Sequence, residues 1–183
     1  MKKNKCDEAS KFLSYVLRHE PEAIGLQLDN NGWANIDTLI EGSKTLGYYL
    51  NVDMIREVVE TNEKKRFSIS NNGKYIRAVQ GHSTASVNLQ HIEKEPPVFL
   101  YHGTATRFIE SIMNQGLLSK SRHHVHLSQD EQTAVAVGKR YGKPVILKIE
   151  ALKMYQQGFK FFQAENGVWL TNHVPTEFIQ PFP

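Results

Sequence analysis

Gln90-His91-Ile92-Glu93-Lys94-Glu95-Pro96-Pro97 divides the chain into two halves of different character. A charged run followed by two prolines ends regular structure and biases the backbone toward an extended connector. The division places a first lobe at residues 1–90, a connector at 91–97 and a second lobe at 98–183. No internal repeat or low-complexity tract competes with it.

Upstream, the pattern is helices followed by a hairpin. Asp7 reads as an N-cap, and Phe12, Leu13, Val16 and Leu17 share one face at helical spacing. Pro21 stops that helix just after Arg18-His19. Residues 24–28 read as a short strand that turns at Asn31-Gly32 into Trp33. Ile36, Leu39, Ile40 and Leu46 mark a second helix, ended by Gly47. Asn51 reads as the cap of a third, with Met54, Ile55, Val58 and Val59 inward. Residues 67–70 and 74–78 flank Asn72-Gly73, a strong hairpin signal. Three helices and a terminal hairpin predict a winged-helix-like unit.

Downstream, strands and helices alternate. Strands are predicted at 98–101, 125–127 and 145–149. Phe108, Ile109, Ile112 and Met113 predict a helix ended by Gly116, and residues 133–137 a second. Residues 159–162 and 168–170 flank Asn166-Gly167, another hairpin signal. Short strands, partly joined by hairpins, predict an α+β fold.

Composition narrows the function. Hydrophobic residues at 40% and charged residues at 22% describe a globular chain. No apolar stretch approaches the roughly 20 residues that span a bilayer. The charged start, Met1 to Glu8, is no secretory signal. The lone Cys6 excludes an internal disulfide and a Cys-clustered zinc site, which suits a reducing cytoplasm. Residues 1–95 carry 13 basic and 13 acidic side chains, whereas residues 96–183 carry 9 and 6. Five of the eight histidines also lie in the second half, a balance that suits an anionic ligand but not a generic nucleic-acid coat.

Neither a Gly-x-x-x-x-Gly-Lys loop nor a Gly-x-Gly-x-x-Gly turn is present, so a nucleotide would bind outside the two usual scaffolds. Arg18-His19 ends the first helix, where cations also complement the helix dipole. Lys64-Lys65-Arg66 reads equally as a solvated loop. His102-Gly103-Thr104 follows a predicted strand; its glycine could admit a ligand or merely form a turn. In Arg122-His123-His124-Val125-His126-Leu127-Ser128 the three histidines invite a metal, and in a strand His124 and His126 would share a face. No nearby carboxylate or cysteine completes a tetrahedral set, so no metal is expected. If that segment is extended, Arg122 and His126 lie about 13 Å apart on one face. Glu165 and Asn166 are candidate contacts at the second hairpin, while core packing alone explains Val168, Trp169 and Leu170.

Together these segments resemble the KptA/Tpt family of RNA 2′-phosphotransferases. The likeness runs in order through residues 10–19, Gly32-Trp33, Lys65-Arg66-Phe67 and Arg77-Ala78-Val79-Gln80-Gly81-His82-Ser83. It continues through Leu100-Tyr101-His102-Gly103-Thr104, Val125-His126-Leu127-Ser128 and Glu165-Asn166-Gly167-Val168-Trp169-Leu170. The resemblance implies a winged-helix-like lobe joined to an ADP-ribosyltransferase-like lobe. It implies NAD⁺-dependent removal of an internal 2′-phosphate from RNA, of the kind left at a tRNA splice junction. An ADP-ribosylated RNA would be the intermediate; nicotinamide and ADP-ribose 1″,2″-cyclic phosphate would be released. It puts phosphate handling on Arg18, His19, Arg66 and Arg122, in a cleft between the lobes. It puts NAD⁺ binding on His102, Gly103, Thr104, His126, Ser128, Asn166 and Val168. Val168 takes the place where related ADP-ribosyltransferases carry a catalytic glutamate, a difference expected when the nucleophile is already an anion. The expected partners are 2′-phosphorylated RNA and NAD⁺, with a monomeric enzyme and no membrane. Two rivals remain: a non-catalytic winged-helix binder, which leaves His102-Gly103-Thr104 unexplained, and a plain ADP-ribosyltransferase, which has no need of Arg18, His19 and Arg66 together.

Overall fold

A computed structural model describes residues 2–182. Residues up to Gln90 and those from His91 onward form two compact units. The first begins with α1 (Lys2–Arg18), so Asp7 lies inside the helix instead of capping it. The lysines ahead of it are good helix formers and carry the helix through. Phe12, Leu13, Val16 and Leu17 are all buried, as their spacing predicts. The strand expected at 24–28 does not form. Pro21–Ile24 make a 3₁₀ turn instead, since proline is pre-set for a first helical turn, and Gly25 closes it at φ 64°.

The short β1 (Ala34–Asn35) leads into α2 (Ile36–Ser43), where the Asn35 side chain accepts from Thr38 N–H. Asn51 caps α3 (Val52–Thr61) in the same way, accepting from Met54 N–H. The Asn72-Gly73 hairpin joins β2 (Phe67–Ile69) to β3 (Tyr75–Ala78), giving an antiparallel sheet in the order β1-β3-β2. Leu13, Leu17, Leu39, Ile55 and Ile76 make its core. Each such side chain contributes about 1.5–3 kcal/mol on burial.

The second unit contains β4 (Leu100–Ala105), α4 (Ile109–Gln115), β5 (Leu117–Leu118), β6 (Val125–Leu127) and α5 (Glu131–Gly138). There follow β7 (Pro144–Ile149), α6 (Ala151–Gln156), β8 (Phe161–Gln163), β9 (Trp169–Thr171), β10 (His173–Val174) and β11 (Ile179–Phe182). Its sheets run β11-β7-β4, β6-β9-β8 and β10-β5, all antiparallel. Tyr101 and Ser128 exchange backbone hydrogen bonds of 2.8 and 2.7 Å, which ties β4 to the end of β6. The fold is therefore α+β. The residues expected as connector are held along this unit: Lys94 N–H donates to the Phe161 carbonyl, and its ammonium meets Gln163 Oε1 at 2.6 Å.

His102-Gly103-Thr104 lies within β4, not after it. The ladder to β7 is unbroken from Leu100↔Ile149 to Ala105↔Pro144. A Cβ on Gly103 would overlap the Ala134 carbonyl of α5, so the glycine is where helix backbone meets strand backbone. Overpacking of this kind costs about 1–3 kcal/mol. Gly103→Ala should lower stability in urea unfolding by at least that much; an unchanged midpoint would contradict the close approach.

Candidate active site

In the first unit, three of the expected phosphate-handling residues converge on one short segment, 79–83. Val79 N–H donates to the Arg66 carbonyl at 3.0 Å, and Ser83 N–H donates to the Arg18 carbonyl at 2.9 Å. The Ser83 hydroxyl lies 2.9 Å from His19 Nδ1. Arg18 ends α1 and is only 8% exposed, a deep position for a guanidinium. Arg66 is half-buried and lines a cleft of about 430 Å³ with Ser10, Asn62 and Lys64.

The Gly32-Trp33 turn supports that segment from behind. Asp29 Oδ1 accepts from the N–H groups of Asn31 and Trp33 and fixes the bend. Gly32 sits at φ 78°, and a Cβ there would come within 2.9 Å of His82 Nε2. The missing side chain lets buried His82 pack into the turn, while the Arg77 guanidinium lies 4.6 Å from the Trp33 ring centroid. This support role went unrecognised in sequence, although the juxtaposed Gly-His-Ser residues sat in plain view.

In the second unit, a chain of polar contacts joins the expected nucleotide residues to Arg122. His102 Nδ1–H donates to the His126 carbonyl at 3.1 Å. Arg122 Nη1 donates to His126 Nδ1, also at 3.1 Å, which requires that nitrogen to be unprotonated. The separation of about 13 Å held only for an extended segment, and that condition is not met. Residues before β6 are not extended: Arg122 N–H turns back onto the Ser119 carbonyl, and its guanidinium folds over the strand. Extending the β6–β9 register by one pair sets Val168 opposite Ser128. Asn166 Oδ1 accepts from Val168 N–H at 3.4 Å within the β8–β9 turn, and Glu165 in that turn is exposed. Thr104 is buried on β4.

His124 and His126 do not act together. His124 packs against the rings of His91 and Phe162, whereas His126 meets Arg122. Among the described residues, no group of three or more His, Cys, Asp or Glu side chains is placed to hold a metal ion.

The model of the family described as "RNA 2′-phosphotransferase, Tpt1 / KptA family" matches residues 4–173. The chain belongs to the RNA 2′-phosphotransferase family. It is 59% identical to a probable RNA 2′-phosphotransferase of Pseudomonas fluorescens, over 98% of this chain and 99% of that one. It is 56% identical to the Pseudomonas syringae protein of the same description, over 98% and 96% of the two chains. For the Escherichia coli relative the values are 56%, 96% and 91%. As a member of the RNA 2′-phosphotransferase family the chain is a transferase acting on the 2′-phosphate of RNA, and Arg18, His19, Arg66, His102, Arg122 and His126 all lie within the matched span.

In this RNA 2′-phosphotransferase, burial holds the pKa of His102 below its ordinary 6.5; the bond to the His126 carbonyl opposes that shift and the Arg122 charge reinforces it. Burial also lowers the pKa of His124, helped by His91 and then His123. Both imidazoles bind protons less readily folded than unfolded. Stability linked to them is therefore intact above pH 6.5 and is lost as pH falls below it, when the unfolded chain takes up protons first. His102→Gln should flatten that acid-side decline in melting temperature relative to wild type. Parallel curves for the two proteins would count against a neutral buried His102.

Proposed function

We propose that this RNA 2′-phosphotransferase consumes NAD⁺ and moves the 2′-phosphate of RNA, at a junction of the tRNA-splicing type, onto ADP-ribose. The first unit serves as a winged-helix-like RNA- and phosphate-binding lobe, the second as an ADP-ribosyltransferase-like lobe. The enzyme works as a monomer in the cytoplasm and needs no metal ion.

The observation that carries this reading is the contact chain from His102 through His126 to Arg122. It sets two imidazoles beside a guanidinium, and the Arg122 bond holds His126 Nδ1 as an acceptor. Hydroxyls of Thr104 and Ser128 and the Asn166 carboxamide add hydrogen-bonding groups on the neighbouring strands and turn. This donor set fits a dinucleotide with ribose hydroxyls to bind. His102, Gly103, Thr104, His126, Ser128, Asn166 and Val168 would hold NAD⁺, with Gly103 contributing through its backbone alone.

Arg18, His19, Arg66 and Arg122 handle the RNA phosphate. A phosphomonoester carries about −1.5 to −2 charges at pH 7 and accepts bidentate guanidinium contacts. A phosphate oxygen displaces neutral nicotinamide from the ribose C1″, forming the ADP-ribosylated RNA. The ribose 2″-hydroxyl then attacks phosphorus, and the bond from phosphorus to the RNA 2′-oxygen breaks. The guanidiniums stabilise charge building on phosphorus, and His19 delivers the proton to the departing RNA oxygen. Val168 fits this scheme: an anionic nucleophile needs no carboxylate base at that position.

The test is incubation with a 2′-phosphorylated oligoribonucleotide, with and without NAD⁺ and with chelator. Phosphate loss is expected only with NAD⁺ and unchanged by chelator; full activity without NAD⁺ would refute the reading. Arg66→Ala and Arg122→Ala should each slow turnover by about 10²–10³-fold, the effect of removing one charge-stabilising donor. ADP-ribosylated RNA should accumulate in both. Wild-type rates would remove those residues from the site.

A further inference from the structure

A helix ends at Arg18, and the next residue, His19, carries its imidazole just past the helix end. One residue from far along the chain holds both positions. Ser83 donates its N–H to the Arg18 carbonyl at 2.9 Å and places its hydroxyl 2.9 Å from His19 Nδ1. Ser83 is itself fixed, because it follows Gly81 at φ 89° and His82, which is buried against the open face of Gly32.

We propose that Ser83 is the positioning residue for His19, its hydroxyl accepting from Nδ1–H so that Nε2 is the nitrogen that exchanges a proton with the RNA 2′-oxygen. The inference rests on the function proposed above for the chemistry of His19, but not for the contact. The partner of one ring nitrogen decides which nitrogen carries the proton and how the ring is aimed. An imidazole bonded at Nδ1 keeps the same orientation whether neutral or cationic, since an accepting hydroxyl suits both. The backbone bond to Arg18 sets the distance, so the serine cannot drift from the ring without also releasing the helix end. Ser83 thus matters to the proton-transfer step and not to the electrophile at C1″.

Two measurements decide it. In single-turnover assays Ser83→Ala should release nicotinamide at a near wild-type rate but slow the transfer to ribose by about tenfold or more, the usual loss when a partner that orients a histidine is removed. Ser83→Thr, which keeps the hydroxyl, should restore the rate, and Ser83→Ala should add nothing in a His19→Ala background. A merely structural serine would slow both steps alike or add its loss independently; either result overturns the proposal. Separately, ¹⁵N NMR of neutral His19 should show Nδ1 protonated in wild type and the Nε2–H form restored in Ser83→Ala. Identical ring patterns would overturn it. If the wild type removes no phosphate with NAD⁺, the proposed reaction fails and the NMR comparison alone decides the Ser83 contact.

Discussion

A guanidinium left only 8% exposed at the end of a helix is the constraint around which the first unit is built. Taking such a charge out of water costs several kcal/mol. The partial negative charge of a helix C-terminus offsets about 0.3–1 kcal/mol of that, or up to about 2 in a partly buried geometry. In the function proposed above, a phosphate dianion would match both the sign and the fork geometry of Arg18. Arg66 and His19 are bound, through Val79 and Ser83, to the same segment as Arg18. Packing at Gly32 holds that segment in place.

The second unit faces a different problem, that of burying an imidazole, His102, close to a fixed positive charge. Burial does most to lower its pKa, and the Arg122 guanidinium adds to it. Arg122 also donates to His126, so its charge is directed as well as placed. Close backbone packing of β4 on α5 at Gly103 gives the strand no freedom to move His102 away. In the function proposed above, the valine opposite Ser128 leaves the negative charge to the substrate.

Much of this was legible in sequence where local chemistry is decisive. Asn51 and the Asn72-Gly73 and Asn166-Gly167 turns act over a few residues, and each does what its side chains dictate. Reading failed where tertiary pairing overrides the local signal. Residues 24–28 are apolar enough for a strand, but Pro21 starts a 3₁₀ turn and Gly25 closes it. His102-Gly103-Thr104 looked like a strand's end because glycine breaks strands, yet pairing with β7 carries the ladder through. At Arg122, periodicity cannot show a turn that folds a long side chain back onto its own strand. Ser83 has its partner 64 residues away, beyond any spacing rule.

The most direct test of the central claim follows the phosphorus itself. An RNA labelled at its 2′-phosphate, incubated with the protein and NAD⁺, should yield the label in ADP-ribose 1″,2″-cyclic phosphate, with the RNA left as a 2′-hydroxyl. Label recovered as free orthophosphate would mean that water, not a ribose hydroxyl, attacks phosphorus, and the account would be wrong.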